Sequence, residues 1–206
     1  MLATLTGLGL SAAAGLNAYI PFLVVALVAR FTDVINLPSE YVWIESPWAI
    51  GIAAVLLLAE IFLDKVPAVD TLNDAVGTVI RPLSGGLIFA ATSAAQSFEE
   101  NSTFMTENTW IGIILGVVVA LIVHSGKAVS RPVLNTTTAG FAAPVASAGE
   151  DTFSVAMSLS AVFLPVLVIA FLIILGGILF VLIRKTSALA TRRGAKDSEV
   201  AEADPQ

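Results

Sequence analysis

The sequence predicts an all-α integral membrane protein of about six transmembrane helices, with two short polar helices arranged in a parallel internal repeat. Three observations carry this. Apolar residues make up 57% of the 206-residue chain and charged ones 13%, about half the charged share of an average soluble domain. The apolar residues gather in runs separated by short polar connections. The charges in those connections sort by sign.

The first run, 3–29, is read as a retained span. A cleaved leader needs a basic start, and the first basic residue is Arg30. Gly7, Ser11 and Gly15 lie on one stripe of it, a small-residue packing face. The second run is 48–63. After Pro67, the residues Val69, Leu72, Val76 and Val79 recur at helical spacing with Asp70, Asn73 and Asp74 between them, which predicts a short amphipathic helix at the membrane interface. Two weaker segments, 82–97 and 132–148, are rich in Gly, Ala, Ser and Thr. Each would span roughly 25 Å as a helix. The strong run 110–123 lies between them, and 155–183 closes the membrane domain of residues 1–185, with a kink expected at Pro165. Residues 186–206 are polar and read as a disordered cytoplasmic tail.

Sidedness follows from charge. The connections 31–47, 98–109 and 149–154 carry acidic residues and no Lys or Arg. If 82–97 and 132–148 both cross, all of the 10 basic residues except Arg30 share one side, which places both termini in the cytoplasm. The rival reading makes the two weak segments re-entrant loops.

Two units, about 48–97 and 110–148, share an order of features. Trp48-Ala-Ile50-Gly51-Ile52 answers Trp110-Ile111-Gly112-Ile113, and Arg81-Pro82 answers Arg131-Pro132. Phe89-Ala-Ala answers Phe141-Ala-Ala, and Glu99-Glu100 answers Glu150-Asp151.

Ionisable residues inside spans are the candidates for chemistry. Glu60 and Asp64 share a helix face and are the ion-coupling candidates; the alternative makes Glu60 the structural partner of Lys127 or Arg131. His124, Lys127 and Arg131 cluster at the end of the strong third run. Paired with Arg81 at the other Arg-Pro step, Arg131 suggests two guanidinium forks and two helix N-termini facing an anion. Against this stands an ordinary basic flank. Asn135 and Thr137, in the Asn-Thr-Thr-Thr run, would line a wet cavity or bond between helices. Asn101-Ser-Thr103 matches a weak glycosylation sequon.

The exclusions are broad. A chain without cysteine has no disulfide, thiolate or cysteine-ligated metal site, and His124 is its single histidine. No cofactor or metal site is predicted, and no basic domain offers itself to nucleic acid. No phosphate-binding loop, dinucleotide fingerprint, HExxH or GxSxG occurs, so an enzyme is not predicted.

The stretches GLSAAAGLNAYIPF, DKVPAVDTLNDAVGTVIRPLSGG and HSGKAVSRPVLNTTTAGFAAPVASAGED resemble the bacterial membrane proteins grouped as domain-of-unknown-function family 4126. The resemblance extends to about Arg184 and implies a small inner-membrane protein; it brings no activity and no catalytic residues. Two functions compete on the residues: a transporter or translocase of an anionic small molecule or lipid phosphate, and a non-catalytic accessory subunit of a homo-oligomer or larger membrane complex. A polar cavity open to one face between the two Arg-Pro segments would favour the first, and tight packing there the second.

Overall fold

The computed structural model describes residues 2–64, 67–95, 108–138, 141–181 and 184; side chains are described within these ranges except at 67, 68, 70, 71 and 132–137. Among the described residues the chain is all-helical: α1 (Leu2–Leu16), α2 (Tyr19–Phe31), a 3-10 turn (Val42–Glu45), α3 (Pro47–Leu63), α4 (Pro67–Ser93), α5 (Thr109–Thr137), α6 (Ala143–Phe163) and α7 (Leu167–Val181). Two stretches, Leu72–Ser93 and Thr109–Arg131, are long and apolar enough to cross a membrane; α1, α2, α3 and α7 are shorter apolar helices.

The expected first span is two helices. The break falls at Asn17, whose Oδ1 accepts from the N–H groups of Tyr19 (3.0 Å) and Ile20 (3.2 Å). Those are orphan donors of the first turn of α2. Pro21, without an N–H, also sits in that turn at no hydrogen-bonding cost. From the break, α2 runs back alongside α1: Leu10 shares a buried cluster with Val25, Ala26 and Val28. The contacts of α1 fix its direction. Gly7 packs on Phe89 and Ser11 Oγ donates to Gly85 O (2.9 Å), so α1 is antiparallel to α4. Thr6 Oγ1 donates to Ala161 O (2.8 Å) and Ser154 Oγ to Ala13 O (3.1 Å), so it is antiparallel to α6 as well.

The central pair is α4 and α5. Gly85 and Gly116 face each other so closely that a Cβ on Gly116 would collide with the Gly85 carbonyl oxygen, and one on Gly85 would lie 2.6 Å from Ala120 Cβ. Small residues permit such backbone approach. Gly116→Val is expected to cost about 1–3 kcal/mol through overpacking, read as a lower thermal midpoint in detergent. An unchanged midpoint would contradict the close approach.

Four further expectations are corrected. The segment 82–97 is no separate helix, because α4 runs unbroken through Pro82. Its earlier part is not an interfacial helix with polar residues outward: Asp74 is buried while Leu72, Val76 and Val79 are exposed, because Asp74 pairs with Arg81 and Lys127. The segment 132–148 is no single crossing either. It contains the end of α5 and the start of α6, and Arg131 at one end of it bonds Glu150 beyond the other. A straight helix over that length would hold those ends roughly 25 Å apart. Finally, 155–183 is not one kinked span. The chain leaves helical geometry at Leu164 (φ −141°, ψ 63°), ahead of Pro165. It then reverses: Val168 meets Gly9, and Leu179 meets Gly126.

Glu60, Asp64, Arg81, Lys127, Arg131 and Glu150 therefore gather at the level where α1 and α3 end, partway along α4, α5 and α6; that is the charged end of α1 and α3. Leu2 and the 32–46 connection lie at the opposite end, and Arg184 lies at the charged end. Leu2 and Arg184 thus lie at opposite ends of the bundle, where six full crossings would have brought them to the same end. The reversal at Asn17 is the cause. The repeat is not matched residue by residue: Arg81 lies midway along α4, Arg131 near the end of α5, and Phe89 is fully buried where Phe141 is 86% exposed. The tail 186–206 and the sequon at Asn101 fall outside the described residues.

Candidate functional site

Helix α3 reaches the charged end with Glu60 and then Asp64, one turn later on the same face. Asp74, Thr78 and Arg81 come from α4; His124, Lys127 and Arg131 from α5; Glu150 and Asp151 from α6. Into their midst α1 ends at Leu16 and Asn17. Arg81 is 0% exposed, and Lys127, Arg131 and His124 are buried nearly as completely. Meanwhile Val55, Phe62 and Ile173 are exposed, the reverse of the distribution that water imposes.

Arg81 is the hub. Its Nη2 donates to Glu60 Oε1 (2.8 Å) and its Nη1 to Asp74 Oδ1 (3.0 Å). Nη1 also lies 2.8 Å from His124 Nδ1. A guanidinium can only donate, so Nδ1 accepts and the imidazole is neutral with its proton on Nε2. Nε2 then donates to Thr78 Oγ1 (3.0 Å), which donates to the Asp74 carbonyl (2.9 Å). The histidine thus orients Arg81 rather than adding charge.

Lys127 ties the two halves together. Its Nζ meets Asp64 Oδ2 at 3.0 Å, Glu150 Oε2 at 3.2 Å and Asp74 Oδ1 at 3.7 Å, and it donates to the Leu16 carbonyl at 3.4 Å. That carbonyl belongs to the C-terminal end of α1, where free oxygens and the helix dipole favour a cation. Arg131 grips Glu150 with a two-pronged fork, Nε to Oε1 (3.3 Å) and Nη2 to Oε2. Asn73 Nδ2 donates to Asp64 Oδ1, and Asn17 Nδ2 to Asp151 Oδ1 (2.9 Å).

The network joins six of the residues singled out in the sequence: Arg81, Lys127, His124, Arg131, Glu60 and Asp64. It does not oppose Arg81 and Arg131 across an anion. Carboxylates and Lys127 stand between them, and neither Arg-Pro step begins a helix. The side chains of Asn135 and Thr137 lie outside the described residues; their backbone completes α5. Sequence reasoning missed Asn17 and Thr78 and separated Glu150 from Lys127 and Arg131, which it contacts. The signal for Asn17 was present, as an Asn four residues before Pro21 inside an apolar run.

Two spaces border the network. A cleft of about 340 Å³ is lined by Leu16, Phe153, Leu175, Ile178 and Leu179 together with Lys127, Ser130 and Glu150. On the Arg81 side a small chamber of about 30 Å³ touches Tyr19, Glu60, Asn73, Gly77 and Arg81.

No curated protein and no solved structure matches the chain. One protein-family model, described as domain of unknown function (DUF4126), matches residues 4–185, from the first turn of α1 to beyond the end of α7. The chain belongs to the DUF4126 family.

Proposed function

We propose that this protein is a multi-pass carrier of the bacterial plasma membrane, a transporter or translocase for an anionic amphiphile of the lipid-phosphate kind, with its charged end at the cytoplasmic face. The membrane part rests on the inverted surface, with charges inside and Phe, Ile, Leu and Val outside, and on the two long apolar helices. The orientation rests on Lys127, Arg81, Arg131 and Arg184 lying at one end with Arg30 at the other.

The carrier part rests on the cleft at Lys127. Its apolar walls suit an acyl body and its polar end suits an anionic head. Glu150, whose side chain is 20% exposed, already plays that head: Lys127 and Arg131 both converge on it. An incoming carboxylate or phosphate could take the same donors. The seat therefore moves from the space between Arg81 and Arg131 to Lys127 and Arg131, since Glu60 and Asp74 occupy Arg81.

Native mass spectrometry of the purified chain with matched anionic and zwitterionic phospholipids tests this. Glu150→Gln vacates the seat, so retention of the anionic lipid should rise severalfold while the zwitterionic lipid is unaffected. Equal retention of both lipids by the wild type, with no change in the variant, would remove the anion seat and leave the accessory-subunit reading.

A further inference from the structure

We propose that Glu60 carries an exchangeable proton, delivered through the water-sized chamber that it shares with Tyr19 and Arg81. The inference stands independently of any transported substrate.

The first ground is charge. Glu60, Asp64, Asp74, Glu150 and Asp151 face Arg81, Lys127 and Arg131, so among the described residues the network's carboxylates outnumber its cations, while His124 contributes none. A buried surplus of negative charge is costly and is relieved by taking up a proton or a cation. Among the described residues, no group of three or more acidic or histidine side chains is arranged to hold a metal ion. That favours the proton.

The second ground is independent and selects the residue. Both oxygens of Asp64 are bonded, to Asn73 and Lys127, and both oxygens of Glu150 are held by Arg131. Glu60 is 6% exposed, and its Oε1 is held by Arg81. Its Oε2 is the one carboxylate oxygen among the described residues that is buried without a hydrogen-bond partner in the protein. Arg81 Nε is in the same condition, and both residues line the small chamber. A water needs about 10–15 Å³ of probe-occupied space and two or more polar partners. The chamber offers about 30 Å³. A water there accepts from Arg81 Nε–H and donates to Glu60 Oε2.

Proton uptake then breaks an O–H bond of a hydronium in the chamber and forms one on Oε2, leaving water behind. The new O–H donates back to that water, and Oε1 keeps its bond to Arg81. Among the described residues, the charged or titratable groups facing Glu60 or its partner Arg81 are Tyr19 from α2, Asp64 from its own helix, Asp74 and Arg81 from α4, and His124 and Lys127 from α5; Lys127 in turn meets Glu150 from α6. Of these, Tyr19 and Arg81 line the chamber itself.

The test is infrared difference spectroscopy of the full chain in vesicles, acid minus alkaline buffer, in sodium-free medium. A protonated-carboxyl band is expected that disappears in Glu60→Gln and persists in Glu150→Gln. Glu60→Asp, which keeps the charge if Gln prevents folding, should move the band's midpoint by about one pH unit, the scale of ordinary environmental shifts. A band that survives Glu60→Gln overturns the proposal, and so does a midpoint that Glu60→Asp leaves in place. A wild-type midpoint that moves with sodium or potassium concentration would replace the proton with a metal cation.

Discussion

Arg81→Gln is expected to abolish most of the folded protein recovered in detergent, while Glu60→Gln leaves recovery close to wild type. The asymmetry follows from the charge surplus. Removing Arg81 strands Glu60 and leaves Asp74 to the longer contact with Lys127, in an interior whose described residues hold more carboxylates than cations, and it takes the donor from His124 Nδ1. Breaking a buried pair from one side costs about 3–5 kcal/mol, a large share of a typical stability of ~5–15 kcal/mol. Neutralising Glu60 removes part of the surplus and leaves Arg81 on Asp74. The double variant should therefore recover part of what Arg81→Gln loses. Thermal midpoints of the two single variants and the double variant check this. Equal losses from the two single variants would mean that the charges are balanced in some other way.

The second large effect concerns sidedness. In this cysteine-free chain, single cysteines at Leu2 and Ser39 should react with an impermeant thiol reagent on intact cells, and one at Arg184 should not. Leu2 and the 32–46 connection lie at the same end of the bundle because α1 and α2 form a pair folded at Asn17. Labelling is close to all-or-none, so the result is unambiguous. If Leu2 and Arg184 react alike, the pair must be pulled out into a single crossing, and the Asn17 to Asp151 bond could not form.

How far the sequence leads depends on the range of the forces concerned. Helix content and the packing stripe of Gly7, Ser11 and Gly15 follow from local pattern, and the structure has both. The concentration of Arg81, Lys127, His124, Arg131, Glu60 and Asp64 was legible because charge inside apolar segments is costly and must collect. Its pairing was not. Arg131 meets Glu150 only because the chain turns between α5 and α6, and a hydropathy count treats 132–148 as one stretch. Pro82 read as a helix start because proline favours first turns. In the fold the helix continues through it, since stopping there would leave backbone groups unpaired in apolar surroundings. Asn17 looked like one polar residue in a long span. Its role depends on Asp151, far away in sequence.

The fold at Asn17 also has a consequence for how the chain is made. Each arm of the α1–α2 pair is shorter than a membrane crossing, and the partners that hold it come late: Asp151 is 134 residues beyond Asn17, and Ala161 is 155 beyond Thr6. At ~5–20 residues per second, the first two helices leave the ribosome roughly ten seconds before α6 exists to receive them. During that interval a strongly apolar N-terminal segment, with a polar asparagine in its middle, lies beside the insertion machinery without its final neighbours. Biogenesis of this protein should therefore be post-translational at its N-terminus and sensitive to membrane insertases and quality-control proteases. Truncations that stop short of α6 should be degraded rather than accumulate as partial bundles.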